Sequence, residues 1–134
     1  MADALYLPFK AAALKGLINL ETDDVRAVLY DTNDVAFSES HEFLSSVAAA
    51  LVGTPVALTN KVVGADGTFD ADDVTLATVT GDQSEAILLY IHTGNNATSR
   101  LVAKIDSATG LPVTPSGGNI PIVWSNGANK IFKL

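Results

Sequence analysis

The chain has no cysteine among its 134 residues. Folding therefore needs neither a disulfide framework nor an oxidising compartment, and a thiolate metal site is excluded. Basic residues are scarce, 8 against 15 acidic ones, for a formal charge of −7. That balance repels phosphate backbones and anionic lipid headgroups, so neither nucleic acid nor a membrane is expected as a direct partner. Long apolar runs are also missing. The longest, Val47 to Val52 and Ala86 to Ile91, are six residues each, where a membrane-spanning helix needs about 20. The chain does not start like a signal peptide, because Asp3 stands where a basic residue is wanted and Lys10 and Lys15 interrupt the apolar stretch. Catalytic motifs are just as sparse. The only histidines, His41 and His92, fall in different expected elements, and no Gly-x-Ser-x-Gly nucleophile elbow occurs. The loop Ser116 to Gly118 lacks the lysine and following hydroxyl of a phosphate cradle. No catalytic residue and no cofactor site is expected.

What is present reads as strand. Ala86 to Ile91 is apolar at every position, the pattern of a strand covered on both faces, and is expected to be the core. Ser99 to Asp106 sets Leu101, Ala103 and Ile105 on one face and Arg100, Val102 and Lys104 on the other, as in an outer, half-solvated neighbour. Thr93 to Thr98 supplies the turn between them. Val25 to Tyr30 reads as another strand, closed by turn residues Asp31 to Asp34, and Val56 to Val63 as a further one. Asp66 and Gly67 form a pair favoured in tight hairpins, followed by strand positions at Thr68, Phe69 and Val74 to Thr80. Pro121 removes a ladder donor from Asn119 to Trp124, which puts that run at a sheet edge, and Lys130 to Leu134 closes the chain as a strand. Trp124, the only tryptophan, is expected in the core. About eight short strands at this spacing make residues 1–134 a single, mainly β domain, a β-sandwich or jelly roll with one or two short helices in its N-terminal half.

The first helix is expected over Phe9 to Lys15, with Pro8 at its first position and Gly16 as a stop. The second would start at Ser38 or Ser40, with Glu39 and Glu42 at its positive end, Phe43, Val47 and Leu51 on one face, and Gly53 and Pro55 ending it. Residues 1–17 form a possible arm that carries many apolar side chains for its length and is expected to dock on its own sandwich or on a neighbouring subunit. In the second case Leu5, Tyr6, Leu7 and Phe9, with Ile131 and Phe132 of the C-terminal strand, are the candidate interaction residues. Deleting Met1 to Lys10 would then leave the domain folded. Asp66, Asp70, Asp72 and Asp73 could offer oxygens to calcium, but their spacing misses the EF-hand loop, and a solvated turn is the preferred reading. No metal ligand is expected.

The wording of several segments carries a resemblance. Phe69 to Thr75, Val79 to Ala86, Ile105 to Pro115 and Trp124 to Leu134 resemble a family of small virion proteins of tailed bacteriophages, and Leu14 to Gly16, Val25 to Asp31 and His41 to Leu44 fit the same pattern. The resemblance implies a structural role as a capsid decoration, or cement, protein. The implied partners are the major capsid protein and copies of the chain itself, as a dimer or trimer. The implied location is the capsid surface, after synthesis in the host cytoplasm. The alternative it leaves open is a tail, neck or fibre component acting as an adaptor or as a receptor- or glycan-binding module.

Overall fold

Strand β7 (Ala86–Ile91) is the centre of the molecule, paired antiparallel with β2 (Val25–Tyr30) on one side and β8 (Leu101–Ile105) on the other. Leu88 lies opposite both Val28 and Lys104 in this register. The computed structural model describes residues 3–134; Met1 and Ala2, the first two residues of the expected arm, lie outside the described residues. Two further strands, β1 (Ala4–Leu5) and β3 (Leu51–Ala57), complete a five-stranded sheet in the order β1-β8-β7-β2-β3. Two smaller sheets adjoin it. One has the order β10-β5-β4, made of β4 (Val62–Val63), β5 (Thr68–Asp70) and β10 (Phe132–Lys133), and the other pairs β6 (Val74–Leu76) with β9 (Ile120–Ile122). The fold is mainly β, and every pairing between strands is antiparallel.

Helix α1 (Leu7–Leu14) has Pro8 in its first turn, where a missing N–H costs nothing, and ends before Gly16 at φ 72°. Its inward residues Phe9 and Ala12 are buried. Phe9 meets Phe132 edge-on at 5.9 Å, and Phe132 meets Phe69 at 5.3 Å, so the helix is joined to the three-stranded sheet through aromatic contacts. The hairpin β4–β5 turns as its Asp-Gly pair requires, with Gly67 at φ 86° and Gly64 N donating to Thr68 O at 2.8 Å. Pro121 sits in β9, an edge strand, opposite Thr75. Ile87, Leu88, Leu89, Tyr90, Leu101, Ala103, Ile105 and Trp124 are all buried. Trp124 also satisfies its polar end, donating Nε1–H to Asp72 O at 3.0 Å.

Three expectations are corrected. No α-helix forms after Ser38. The segment contains only the 3-10 turns Leu44–Ser46 and Ala48–Ala50, after which Leu51 opens β3. The cause is tertiary: the backbone of 42–45 pairs across to the start of β8, with Leu101 N donating to Glu42 O at 3.0 Å, Leu44 N to Ser99 O at 2.8 Å and Ser45 N to Asn96 O at 3.0 Å. These bonds replace the helical ones that the Phe43, Val47, Leu51 spacing favours. Gly53 and Pro55 therefore lie inside β3. The pairing of β3 with β2 shifts between Ala27 and Leu29, and the bulge needs Gly53 at φ 83°, while a proline is tolerated because β3 is an edge.

The second correction concerns β8. It is buried along its whole length, Val102 and Lys104 included: β1 pairs along its edge, the Phe37 ring lies against Lys104, and Phe43 bridges to Arg100 at its start. Third, the run expected as one strand from Val56 to Val63 is split between β3 and β4, with Asn60 at φ 52° turning the chain between them.

Candidate interaction surface

The residues that the sequence marks for an interface are mostly in the chain's own core. Tyr6, Phe9, Ile131 and Phe132 are buried, and Leu5 is partly buried against the core. Of the set, only Leu7 is largely exposed, at 45%. The arm docks on its own sandwich: β1 pairs with β8, and Tyr6 N donates to Val102 O at 3.1 Å. The Tyr6 ring packs edge-on against Phe37 at 5.2 Å. Burial, with Tyr30 nearby, pushes its phenol far above its ordinary pKa, and its hydroxyl has no hydrogen-bond partner among the described residues. The C-terminal strand β10 is an edge, facing β1 across a cleft of about 350 Å³.

The arm is anchored at its start by charge. Asp3 accepts hydrogen bonds from Asp106 N at 2.7 Å, Ser107 N at 3.0 Å and Ser107 Oγ at 2.5 Å. Burial works against the Asp3 carboxylate, yet these donors and a hydrogen bond with the Asp106 carboxyl hold its pKa below the ordinary value. Asp106 moves the other way, raised first by burial and then by its side-chain contact with Asp3, with Lys104 partly opposing. Lys104, only 2% exposed along its side chain, sits with Nζ 3.6 Å from Asp106 Oδ2 and 4.8 Å from the centre of the Phe37 ring. Lys130 and Lys133 line the cleft beside Asp3, and Glu85 lies on the other side, in one hollow with Asp106.

Stability should respond to pH through both carboxyls, with opposite signs. The depressed Asp3 contributes stability above the unfolded pKa of about 3.9, lost as pH falls through the folded value. The raised Asp106 contributes stability below about 3.9, lost as pH rises through its folded value. Lowering the pH from about 7 toward about 4 is thus expected to gain stability from Asp106, and Asp106→Asn, which cannot take up that proton, should lack this gain. Melting temperatures of the two chains across that range test it; parallel pH profiles would remove Asp106 as the titrating group.

The most exposed large apolar residues lie instead on and just beyond the outer face of α1, with Val62, Val63, Val123 and Leu134 exposed elsewhere. At 100° per residue, Leu7, Ala11 and Leu14 point away from Phe9 and Ala12, flanked by Lys10 and Lys15. Leu14 is 85% exposed and Leu17, just beyond the helix, 67%. The helical spacing of Leu7 and Leu14 against Phe9 was the available signal for this face. No acidic residue lies in α1, and its neighbours Glu42 and Arg100 are bridged to each other at 3.2 Å.

Register places one group of acidic residues at the other end of the sheet. Ala86, the first residue of β7, faces Tyr30, the last of β2, so Glu85 and Asp31 leave the sheet together, and Ile105 opposite Ile87 brings Asp106 to the same end. Asp31, Asp34 and Asp82 hold oxygens within 4.8 Å of one another. Asp34 is raised by the neighbouring charge of Asp31 first, then by slight burial and Asp82, with no cation contributing. Beside this group Leu111 and Pro112, with Glu85 and Asp106, line a shallow hollow of about 260 Å³.

The other acidic residues are engaged singly. Asp66 binds Thr68 N and Oγ1, Asp70 accepts Ala71 N, Asp72 accepts Asn60 Nδ2 and Asp73 accepts Trp124 N. These four do not converge on a common point as a ligand group among the described residues. His92 N donates to Asp24 O, and its ring lies 6.3 Å from Tyr90, while His41 Nδ1 is buried without a partner among the described residues. No protein-family model matches the chain, and no curated protein matches it.

Proposed function

We propose that the chain is a structural virion protein, a decoration or cement protein on the head of a tailed phage. It would be made in the host cytoplasm and bind the major capsid protein and copies of itself, as a dimer or trimer, on the capsid surface. The observation that carries this reading is the likeness in wording of Phe69 to Thr75, Val79 to Ala86, Ile105 to Pro115 and Trp124 to Leu134 to small virion proteins. The physical properties suit the role. A cement protein works without an active site: it needs a rigid scaffold, here a β core, and exposed apolar residues such as Leu14 and Leu17 for contacts. Each contact can be weak, because copies on one lattice raise the effective concentration for their neighbours. A net charge of −7 sits best on the outside of a shell, away from packaged nucleic acid.

Counting copies per particle tests the proposal. A decorated shell is expected to carry on the order of hundreds of copies. About a dozen or fewer would overturn the cement reading and move the chain to the neck, tail or fibre, as an adaptor or a receptor- or glycan-binding module.

A further inference from the structure

We propose that copies of this chain associate head to tail, the Leu14 and Leu17 face of α1 with Lys10 and Lys15 from one copy seating on the acidic end, at Asp31, Asp34 and Asp82, of the next. The inference deepens the cement reading by naming its self-contact and rests on that reading for its purpose, though its test does not.

The two surfaces are complementary in kind. The helix face is an apolar knob with a basic rim: Leu14 and Leu17 are the most exposed large apolar side chains among the described residues, and Lys10 and Lys15 beside them are exposed. At the opposite end Leu111 and Pro112 line a hollow of about 260 Å³ together with Glu85 and Asp106, and Asp31, Asp34 and Asp82 stand together next to it. Asp34 already feels the negative charge of Asp31 and Asp82. A lysine delivered there gains more than one placed elsewhere on the surface, and a leucine in the hollow loses water from both sides.

One copy cannot satisfy both surfaces itself. They are separated by the length of β7, since α1 starts beside Val102 near the end of β7 and the acidic group leaves beside Ala86 at its beginning. Six residues of strand span about 20 Å. The contact is therefore between molecules. It is also heterologous, one patch meeting a different patch, so successive contacts build a ring when the rotation closes and a filament when it does not. A self-paired, two-fold contact through α1 alone would instead bring Lys10 and Lys15 of two copies toward each other with no acidic residue on the helix to offset them.

Sedimentation equilibrium of the full chain, with charge-swapped variants at the exposed positions, tests this. The wild-type chain is expected to self-associate at about 50 mM salt and to weaken about tenfold or more at about 500 mM. K10E/K15E and D34K/D82K should each be monomeric, and their equimolar mixture should assemble again, because each variant now offers the surface that the other lacks. That rescue also shows both variants to be folded; K10Q/K15Q and D34N/D82N, which only neutralise, should weaken association if a reversal disturbs the fold. A wild-type chain that stays monomeric at low salt overturns the proposal, and so does assembly unchanged in D34K/D82K or a mixture that fails to assemble. Any of these outcomes leaves the copy number per particle free to decide the cement reading separately.

Discussion

Removing Met1 to Lys10 is expected to unfold the domain, not to release a passive arm. The deletion takes away β1, the Asp3 carboxylate that holds Asp106 and Ser107, and the buried rings of Tyr6 and Phe9. Truncating one buried aromatic residue costs about 3–5 kcal/mol, and two of them together approach the whole stability of a small domain, about 5–15 kcal/mol. The loss would uncover Phe132, which Phe9 meets edge-on, and leave the Val102–Lys104 edge of β8 unpaired. A chain of residues 11–134 should therefore show no cooperative thermal transition and no near-ultraviolet dichroism from fixed aromatic rings. Cooperative melting within a few degrees of the full-length chain would return the segment to the status of an arm.

The second large effect is expected at Lys104. Its ammonium is buried beside the Asp106 carboxyl and the Phe37 ring, and its charge opposes part of the rise that burial imposes on Asp106. Breaking a buried ion pair by removing one partner costs about 3–5 kcal/mol, because the other charge stays behind without compensation. Lys104→Ala also empties the space of the four-carbon stem. Lys104→Met keeps that stem against Phe37 and removes only the charge, so it should lose distinctly less than Lys104→Ala. Denaturant midpoints of the three chains compare them. If Lys104→Ala falls within about 1 kcal/mol of the wild type, the buried lysine is structurally neutral and the account of this corner is wrong.

These two sites show where reading the sequence stopped. Alternation in Ser99 to Asp106 marks Val102 and Lys104 as outward, and on an isolated hairpin they would be. What encloses them is β1 along the edge of β8 and Phe37 against Lys104, and sequence separation of that size carries no local pattern. Long-range pairing also explains the missing helix. Phe43, Val47 and Leu51 recur with helical spacing, but Glu42 O accepting from Leu101 N, and Leu44 N and Ser45 N donating to Ser99 O and Asn96 O, hold the backbone extended or in single turns. Propensity is a weak prior against a set of paired backbone groups in the interior. The helix α1 was legible from Pro8 and Gly16. Which of its residues face inward was not, since Phe9 is turned to the core by its contact with Phe132, far along the chain.

By itself, the sequence determined that the protein is mainly β, that Ala86 to Ile91 is its centre, that Asp66–Gly67 turns a hairpin and that Pro121 belongs to an edge, because each follows from side-chain periodicity or from the φ and N–H of one residue. Only the tertiary structure decided that the apolar N-terminal segment belongs to the chain's own core, that Leu14 and Leu17 are the exposed apolar residues of that region, and that acidic residues from distant turns gather at one end of the sheet. The physical reason is the same in all three cases: burial and charge proximity are set by the register of strands far apart in sequence, and that register depends on which faces cover one another.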